Sequence, residues 1–125
     1  MDHIEYVFTM LDWNNPIDIQ LKGRKLAQEI KDFSVFLQPN TPYFNKNIWE
    51  NCAIILSEKT DIELSLYLQD LLEWIQDLNW PGALCILDRL RDYKDKNYLK
   101  IIKNKCECQA IIMQDDVWLE NLHLL

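Results

Sequence analysis

The sequence has few of the residues that form tight turns: it contains two glycines and four prolines among 125 residues. An all-β domain needs many tight turns and the glycines that serve them. The scarcity of both residues therefore favours helices. Hydrophobic residues make up 49% of the chain and charged residues 26%, which is typical of a globular protein with a real core. We expect one domain that spans residues 1–125.

Histidine is scarce as well, and the chain has only His3 and His123. Both lie near the ends of the chain, where a general base would lack a formed cleft. The sequence also lacks a glycine-rich phosphate loop and the Gly-x-Ser-x-Gly and His-Glu-x-x-His motifs. We therefore expect no catalytic residue and predict that the protein is not an enzyme.

The cysteines are too few and too scattered for a disulfide framework. They are Cys52, Cys85, Cys106 and Cys108. On a helix, two residues that are two positions apart diverge by about 200°, so Cys106 and Cys108 do not readily bind one ion. Strong zinc sites space their cysteines as Cys-x-x-Cys and supply four ligands. We expect free thiols, no metal and no cofactor.

Basic residues are outnumbered, with 13 against 20 acidic residues and a net charge of −7. This charge repels phosphate backbones and argues against nucleic-acid binding, whereas it would attract a basic protein. Solubility alone is the plainer interpretation of the same charge. No run of 18 apolar residues is present, so no membrane span is expected. The first residues carry acidic side chains where a signal peptide needs basic ones, and we expect a cytoplasmic protein.

What the chain does contain is helical periodicity, and it is clearest over residues 60–77. One face carries only apolar residues, which are Leu64, Leu68, Leu71, Leu72 and Ile75. Thr60 and Glu63 have the spacing of a capping box, which predicts the start of the helix. The opposite face carries Glu63, Asp70, Glu73 and Asp77, with Tyr67 and Trp74 on the flank. This segregation predicts an amphipathic helix.

Helices are also predicted on both sides of this one. Asn15 and Pro16 cap and open a helix that reaches about Lys31, and the short apolar stretch Asp32–Leu37 could add one or two turns. The prolines of the segment 38–42 make a loop. Another helix is predicted to begin near Asn45 and Asn47, and its apolar pattern ends at Ser57. Residues 1–12 favour a short helix, although a strand stays open.

Asn79 and Pro81 are expected to restart the chain as a helix. Its predicted core face consists of Ala83, Ile86, Leu87 and Leu90. A later helix from Tyr98 to Met113 would bury Tyr98, Ile101, Ile102 and Ile112, although its β-branched end could be extended instead. Asp115 or Asp116 caps a last short helix. The total is six or seven helices and no convincing strand, which predicts an all-α fold.

Two stretches have the same opening before a helix: Leu11-Asp-Trp-Asn-Asn-Pro16 and Leu78-Asn-Trp-Pro81. Alternating short helices with a recurring opening favour a stack of helical pairs. The stretch Leu71-Leu-Glu-Trp-Ile-Gln-Asp-Leu-Asn-Trp-Pro-Gly-Ala resembles the signature of a bacterial family of small HEAT-like domains of unknown function. The resemblance covers about residues 60–93, and more loosely Asp115-Asp-Val-Trp-Leu to the end. It implies a right-handed HEAT-like stack of antiparallel helical hairpins, and it supplies no catalytic residues.

Small acidic domains of this kind resemble immunity proteins, each of which binds and blocks one bacterial toxin. By that analogy, we predict a non-enzymatic module that binds a basic protein, plausibly a toxin domain. The candidate contacts are Glu63, Tyr67, Asp70, Glu73, Trp74 and Asp77, followed by Asp88 and Asp92. Large aromatic residues flanked by carboxylates are typical interface anchors, but Trp74 could instead pack against a neighbouring helix.

Two alternatives stay open. The first is a regulatory or assembly subunit that uses an apolar patch near Phe33, Phe36 and Phe44. The second is an enzyme or ligand binder with a pocket between helices, for which the sequence offers no nucleophile–base pair. The oligomeric state and the identity of the partner do not follow from the sequence.

Overall fold

The computed structural model describes residues 3–40 and 46–125, and throughout these residues the regular structure is helical, with no strand. The α-helices are α1 (His3–Met10), α2 (Ile17–Ala27), α3 (Trp49–Ser57), α4 (Asp61–Leu64), α5 (Leu68–Trp74), α6 (Ala83–Arg91), α7 (Lys96–Ile112) and α8 (Asp116–Leu122). A 3-10 turn over Ser65–Tyr67 joins α4 to α5, so these two form one bent helix. With that pair counted once, the described residues hold seven helices, and the predicted all-α fold is confirmed.

The helices pack mainly on neighbours in the chain or on the helix after the next. α3 packs on α6, and α5 packs on α6 and α7. α8 lies against α7, while α1 and α2 form a pair that reaches α3 through α2. The HEAT-like stack of antiparallel hairpins and its right-handed sense stay predictions.

Local capping explains several of the helix starts. The Thr60 hydroxyl accepts the Glu63 N–H, and the Glu63 carboxylate accepts the Thr60 N–H, so the predicted capping box is confirmed. Asp115 caps α8 by accepting the Trp118 N–H at 3.0 Å. These bonds satisfy amide groups that the first turn of a helix leaves free.

The two Asn-containing openings work differently from the prediction. No side chain caps α2, and Asn15 instead donates to the carbonyls of Thr9 and Met10 at the end of α1. Asn79 lies in an exposed turn, and the cap of α6 is Gly82. The prediction that Asn15 and Asn79 cap helices is therefore wrong, because the side chain of Asn15 bonds backward and Asn79 is three residues before the cap.

Other boundaries differ from the predicted ones. α2 ends at Ala27 rather than near Lys31, and a 3-10 turn (Phe33–Phe36) follows. The segment 1–12 is helical from His3, and the start predicted near Asn45 lies outside the described residues, as do Thr41, Pro42 and Phe44.

α7 continues as a helix to Ile112, but it buries Leu99, Cys106 and Ala110, while Ile101 and Ile112 are exposed. Tyr98 and Ile102 pack half-buried against the core. The predicted face is therefore right for these two residues and wrong for Ile101 and Ile112, which lie off the face that carries Leu99, Cys106 and Ala110.

One hydrophobic core runs through the described chain and includes both its halves. Val7, Phe8, Leu11 and Phe36 belong to the same cluster as the leucines of α5. The predicted stripe of Leu64, Leu68, Leu71, Leu72 and Ile75 is fully buried. Asn51 on α3 also donates to the carbonyl of Leu11 at 2.7 Å. The segment that precedes α3 is thus packed into the stack.

Candidate protein-binding surface

The turn between α5 and α6 is held by contacts that cross between helices. Trp74 is completely buried, and its indole Nε1 donates to the carbonyl of Pro81 at 3.0 Å. Glu50 on α3 accepts the N–H of Gly82 at 2.8 Å. Trp74 therefore cannot contact a partner at the surface. It packs inside the protein instead, which is the alternative that the sequence left open. We call residues 74–82 the Trp-Pro-Gly corner.

Gly82 is required at this corner for two reasons. Its φ is +82°, in the left-handed region that L side chains rarely adopt. A Cβ at this position would also lie 2.6 Å from the Cβ of Ala53 and 2.9 Å from the carbonyl oxygen of Trp49. The backbone of the corner thus sits directly on α3.

Aromatic rings complete the packing of the corner. The ring of Trp49 meets those of Trp74 and Trp80 edge-on, with centroids 6.2 and 5.7 Å apart. The ammonium of Lys46 lies 5.4 Å from the Trp49 ring and 5.8 Å from the Trp80 ring. Trp80 is half-buried, so the signature that defines the corner is structural rather than an exposed contact surface.

The segment around the corner is unusual in its charge. Residues 60–88 contain six carboxylates and no Lys or Arg. These carboxylates are Asp61, Glu63, Asp70, Glu73, Asp77 and Asp88. We call residues 60–88 the acidic segment. Within the described residues, only Asp61 and Asp88 of this segment are within ion-pair distance of a basic side chain.

Asp61 is the carboxylate most firmly built into the scaffold. It accepts from the Arg89 guanidinium at 2.6 Å and from the Lys94 N–H at 2.9 Å. Arg89 also donates to the carbonyls of Ser57 and Lys59. Partial burial opposes ionisation of Asp61, but the Lys94 and Arg89 bonds outweigh it and lower the pKa of this carboxyl group.

Asp70 and Glu73 are held by a neutral partner instead. The side-chain amide of Asn40 donates to Oδ1 of Asp70 at 3.0 Å and also to Oε2 of Glu73. Gln69 donates to Oε1 of Glu73 at 3.4 Å. A carboxylate offers about four acceptor sites, so these bonds leave Glu73 with acceptor capacity.

A cleft of about 440 Å³ opens beside Glu73, between the C-terminal end of α5 and the corner where α7 meets α8. Asn40, Glu73, Gln76 and Gln109 line its polar side. Ile112, Met113 and Trp118 line its apolar side. Its volume falls in the range of about 300–1,000 Å³ that is typical of ligand sites. We call it the α5–α8 cleft.

The floor of the cleft is rigid because α8 bonds to the end of α5. Trp118 Nε1 donates to the carbonyl of Leu72 at 3.0 Å, and the Asn121 amide donates to that of Ile75 at 2.8 Å. Both side chains are buried. The Asn121 bond satisfies the carbonyl of Ile75 at the end of α5, whereas the carbonyl of Leu72 also accepts the N–H of Ile75 at 3.3 Å.

The other predicted contacts are spread around the stack. Glu63 is exposed within its capping box, where the bonds from Thr60 lower the pKa of its carboxyl group. Tyr67 is half-buried, with its ring edge-on to Phe33 at 5.3 Å. Asp77 accepts the Asn79 N–H in the turn. Asp88 and Asp92 are exposed on and after α6.

The structure thus brings Asp70 and Glu73 together and leaves the other predicted contacts separate from them. The single stripe predicted for Glu63, Asp70, Glu73 and Asp77 is broken, because the 3-10 turn over residues 65–67 changes the rotation between Glu63 and Asp70 and α5 ends before Asp77. Phe36 of the alternative apolar patch is buried and Phe33 is half-buried.

The thiols are placed as free cysteines: Cys52 and Cys106 are buried and Cys108 is exposed. Burial raises the pKa of Cys52, and burial together with the nearby Glu73 carboxylate raises the pKa of Cys106 to about 12. Among the described residues, no group of three His, Cys, Asp or Glu side chains is arranged to hold a metal ion. In the same residues, no helix has the length and apolar character needed to cross a membrane.

The architecture defined by these elements is all-α, with seven helices among the described residues. The chain belongs to a family described as a domain of unknown function (DUF5071), whose model matches residues 49–124. The match runs from the first residue of α3 almost to the end of the chain, and it therefore includes the corner and most of the cleft. No curated protein and no solved structure matches the chain.

Sequence reasoning missed three polar residues of the cleft: Asn40, Gln76 and Gln109. Gln76 follows Glu73 by three residues, so the helical period of α5 could have placed the two side by side. Asn40 is 33 residues from Glu73, and no local pattern signals a contact of that range.

Proposed function

We propose that the chain is a non-enzymatic protein-binding module that holds a basic partner on its acidic segment. The observation that supports this proposal is the run of residues 60–88, in which carboxylates accumulate without any Lys or Arg. Because the carboxylates of Asp70 and Glu73 have neutral hydrogen-bond partners, a cation from another molecule would gain ion pairs there without breaking one inside the protein.

The specific form of the proposal is an immunity protein that occludes a basic bacterial toxin domain in the cytoplasm. Such a role needs steric blocking and fast, charge-steered association rather than chemistry. The raised pKa values of the Cys52 and Cys106 thiols make these residues poor nucleophiles and agree with a binding role. The free thiols suit a reducing compartment.

The experiment measures binding of this chain to the C-terminal domain of the toxin-like protein encoded beside its gene, at low and physiological salt. Neutralising Asp70, Glu73, Asp77 and Asp88 by Asn or Gln should slow association at least tenfold at low salt. The matched control neutralises four exposed carboxylates outside the acidic segment, at Asp18, Glu29, Asp116 and Glu120.

The control has the same net charge as the test variant, so it separates a local surface from a general effect of charge. Equal losses in the two variants, or unchanged association and salt dependence in the test variant, would contradict the proposed surface. Absence of any toxin-like neighbour or of binding to it would remove the immunity form of the proposal.

A small-ligand site is the second candidate, and the α5–α8 cleft favours it. The cleft combines polar groups with an apolar wall, as ligand sites do. The described residues that line it are amides, apolar side chains and one carboxylate, Glu73, and this lining suits the binding of a ligand.

A further inference from the structure

We propose that the α5–α8 cleft receives an arginine side chain of a protein partner. This inference rests on the proposed function and deepens it, because it names the group that the partner inserts and the place where that group binds. It also predicts that one cleft, rather than the whole acidic segment, determines which partner is accepted.

The negative charge at the cleft favours a ligand group that is positively charged. Glu73 lines it, and Asp70 lies close enough to share the Asn40 amide with Glu73. The residues that line the cleft include no Lys, Arg or His. Glu73 also lies near Cys106, where it helps to raise the pKa of that thiol, so its negative charge acts on the α7 side of α5, where the cleft opens.

The shape and the neutral lining favour arginine over a compact ammonium. The guanidinium is a planar fork of five donors, which can bond to a carboxylate and to amide oxygens at the same time. Gln76 and Gln109 offer such oxygens beside Glu73. Ile112, Met113 and Trp118 offer an apolar wall for the aliphatic stem, and arginine buries that stem while its charged end stays hydrogen-bonded.

The exposed surface next to the cleft indicates that the arginine arrives on a protein. Ile111, Ile112, Met113 and Val117 are all at least 59% exposed, and they follow one another around the α7–α8 corner. A free guanidinium compound would leave this apolar surface uncovered. A polypeptide that carries the arginine would cover part of it with neighbouring side chains.

The test titrates the full chain with Nα-acetyl-arginine amide and, as a neutral isostere, Nα-acetyl-citrulline amide. Binding is followed through the NMR signals of the Trp118 indole N–H and of the Gln76 and Gln109 side-chain amides. We expect a dissociation constant of about 1 mM for the arginine compound, as for a fragment of this size. The citrulline compound should bind at least tenfold more weakly.

Two variants locate the site. Glu73→Gln should weaken binding of the arginine compound about tenfold, since it removes the charged acceptor, and Gln109→Ala should weaken it a few-fold. Glu29→Gln, which removes an exposed carboxylate just after α2 and outside the acidic segment, is the matched control and should leave the dissociation constant unchanged. NMR spectra of each variant without ligand verify that it is folded.

Several outcomes overturn the inference. They are absence of any shift at these signals, equal binding of the citrulline compound, or equal weakening by Glu73→Gln and Glu29→Gln. Micromolar binding of free agmatine would assign the cleft to a small guanidinium molecule and overturn the protein-borne source. The titration uses no partner protein, so its failure leaves the proposed function standing. Failure of the toxin-binding experiment would equally leave a positive titration in place.

Discussion

The Trp-Pro-Gly corner and the α5–α8 cleft lie at the same end of α5, but their polar side chains have different kinds of hydrogen-bond partner. At the corner, Trp74 and Glu50 bond to the backbone of Pro81 and Gly82. At the cleft, Glu73 bonds to side-chain amides and keeps acceptor capacity. The comparison teaches that the tryptophan and glycine of the corner belong to the scaffold, while a carboxylate that keeps acceptor capacity lies just beside it.

We expect the largest loss of stability when the buried indole of the Trp-Pro-Gly corner is removed. Trp74→Ala removes a completely buried indole and its bond to Pro81, and we expect it to lower the free energy of unfolding by about 3–5 kcal/mol. Urea unfolding followed by circular dichroism measures the change. Trp13→Ala is the control, because Trp13 is 45% exposed. A loss below about 1 kcal/mol for Trp74→Ala would place the corner outside the scaffold.

A smaller loss is expected from Gly82→Ala, about 1–3 kcal/mol. The new Cβ strains the backbone at φ +82° and contacts Ala53. A double-mutant cycle with Ala53→Gly, measured by the same unfolding experiment, separates the two causes. A positive coupling assigns the loss to the contact with α3. Strictly additive losses would assign it to the backbone conformation and to the close approach to the Trp49 carbonyl.

Asp61 tests whether a carboxylate of the acidic segment can belong to the scaffold. We expect Asp61→Asn to cost about 1–3 kcal/mol at pH 7, since it weakens the bonds to Arg89 and Lys94. The folded state lowers the pKa of Asp61 below its ordinary 3.8. The ionised Asp61 carboxylate therefore stabilises the folded state at pH values above this ordinary pKa. The stabilisation is lost as the pH falls through the lowered pKa.

Thermal unfolding of the wild type and of Asp61→Asn between about pH 7 and pH 2 shows this dependence. The difference between the two proteins should be constant near neutral pH and shrink in the acid range. A difference that stays the same down to pH 2 would show that the charge of Asp61 does not contribute to stability.

The smallest effect on stability should come from Glu73→Gln at the cleft. Glu73 is only half-buried and has no cationic partner in the described part of the chain, and we expect a change within about 0.5 kcal/mol. Chemical unfolding at pH 7 measures it. A loss comparable to that of Asp61→Asn would erase the distinction between scaffold and cleft, and it would make Glu73 a structural residue.

The features that were predicted correctly from the sequence are those that depend on residues close together in the chain. The capping box of Thr60 and Glu63, the cap at Asp115 and the leucine stripe of α5 all depend on spacings within one or two turns. Trp74 shows where this reasoning ends. The helical period puts it on the flank of α5, and only the return of the chain through Pro81 and Gly82 buries that flank.

The cleft could be predicted only in part for a related reason. Asp70 and Glu73 were predicted to share a helix face, but only as two members of a longer acidic stripe. Their amide partner, Asn40, comes from a separate turn 30 residues before Asp70, and Gln109 comes from α7. Contacts between elements far apart in sequence depend on the packing of the whole stack, which composition and periodicity do not encode.

Asn40 joins two parts of the chain that the family match separates. The match begins at Trp49, so the amide that bonds to both Asp70 and Glu73 comes from outside the matched residues. A protein cut down to residues 49–124 would therefore lose one of the residues that line the cleft, and both carboxylates would lose their common donor.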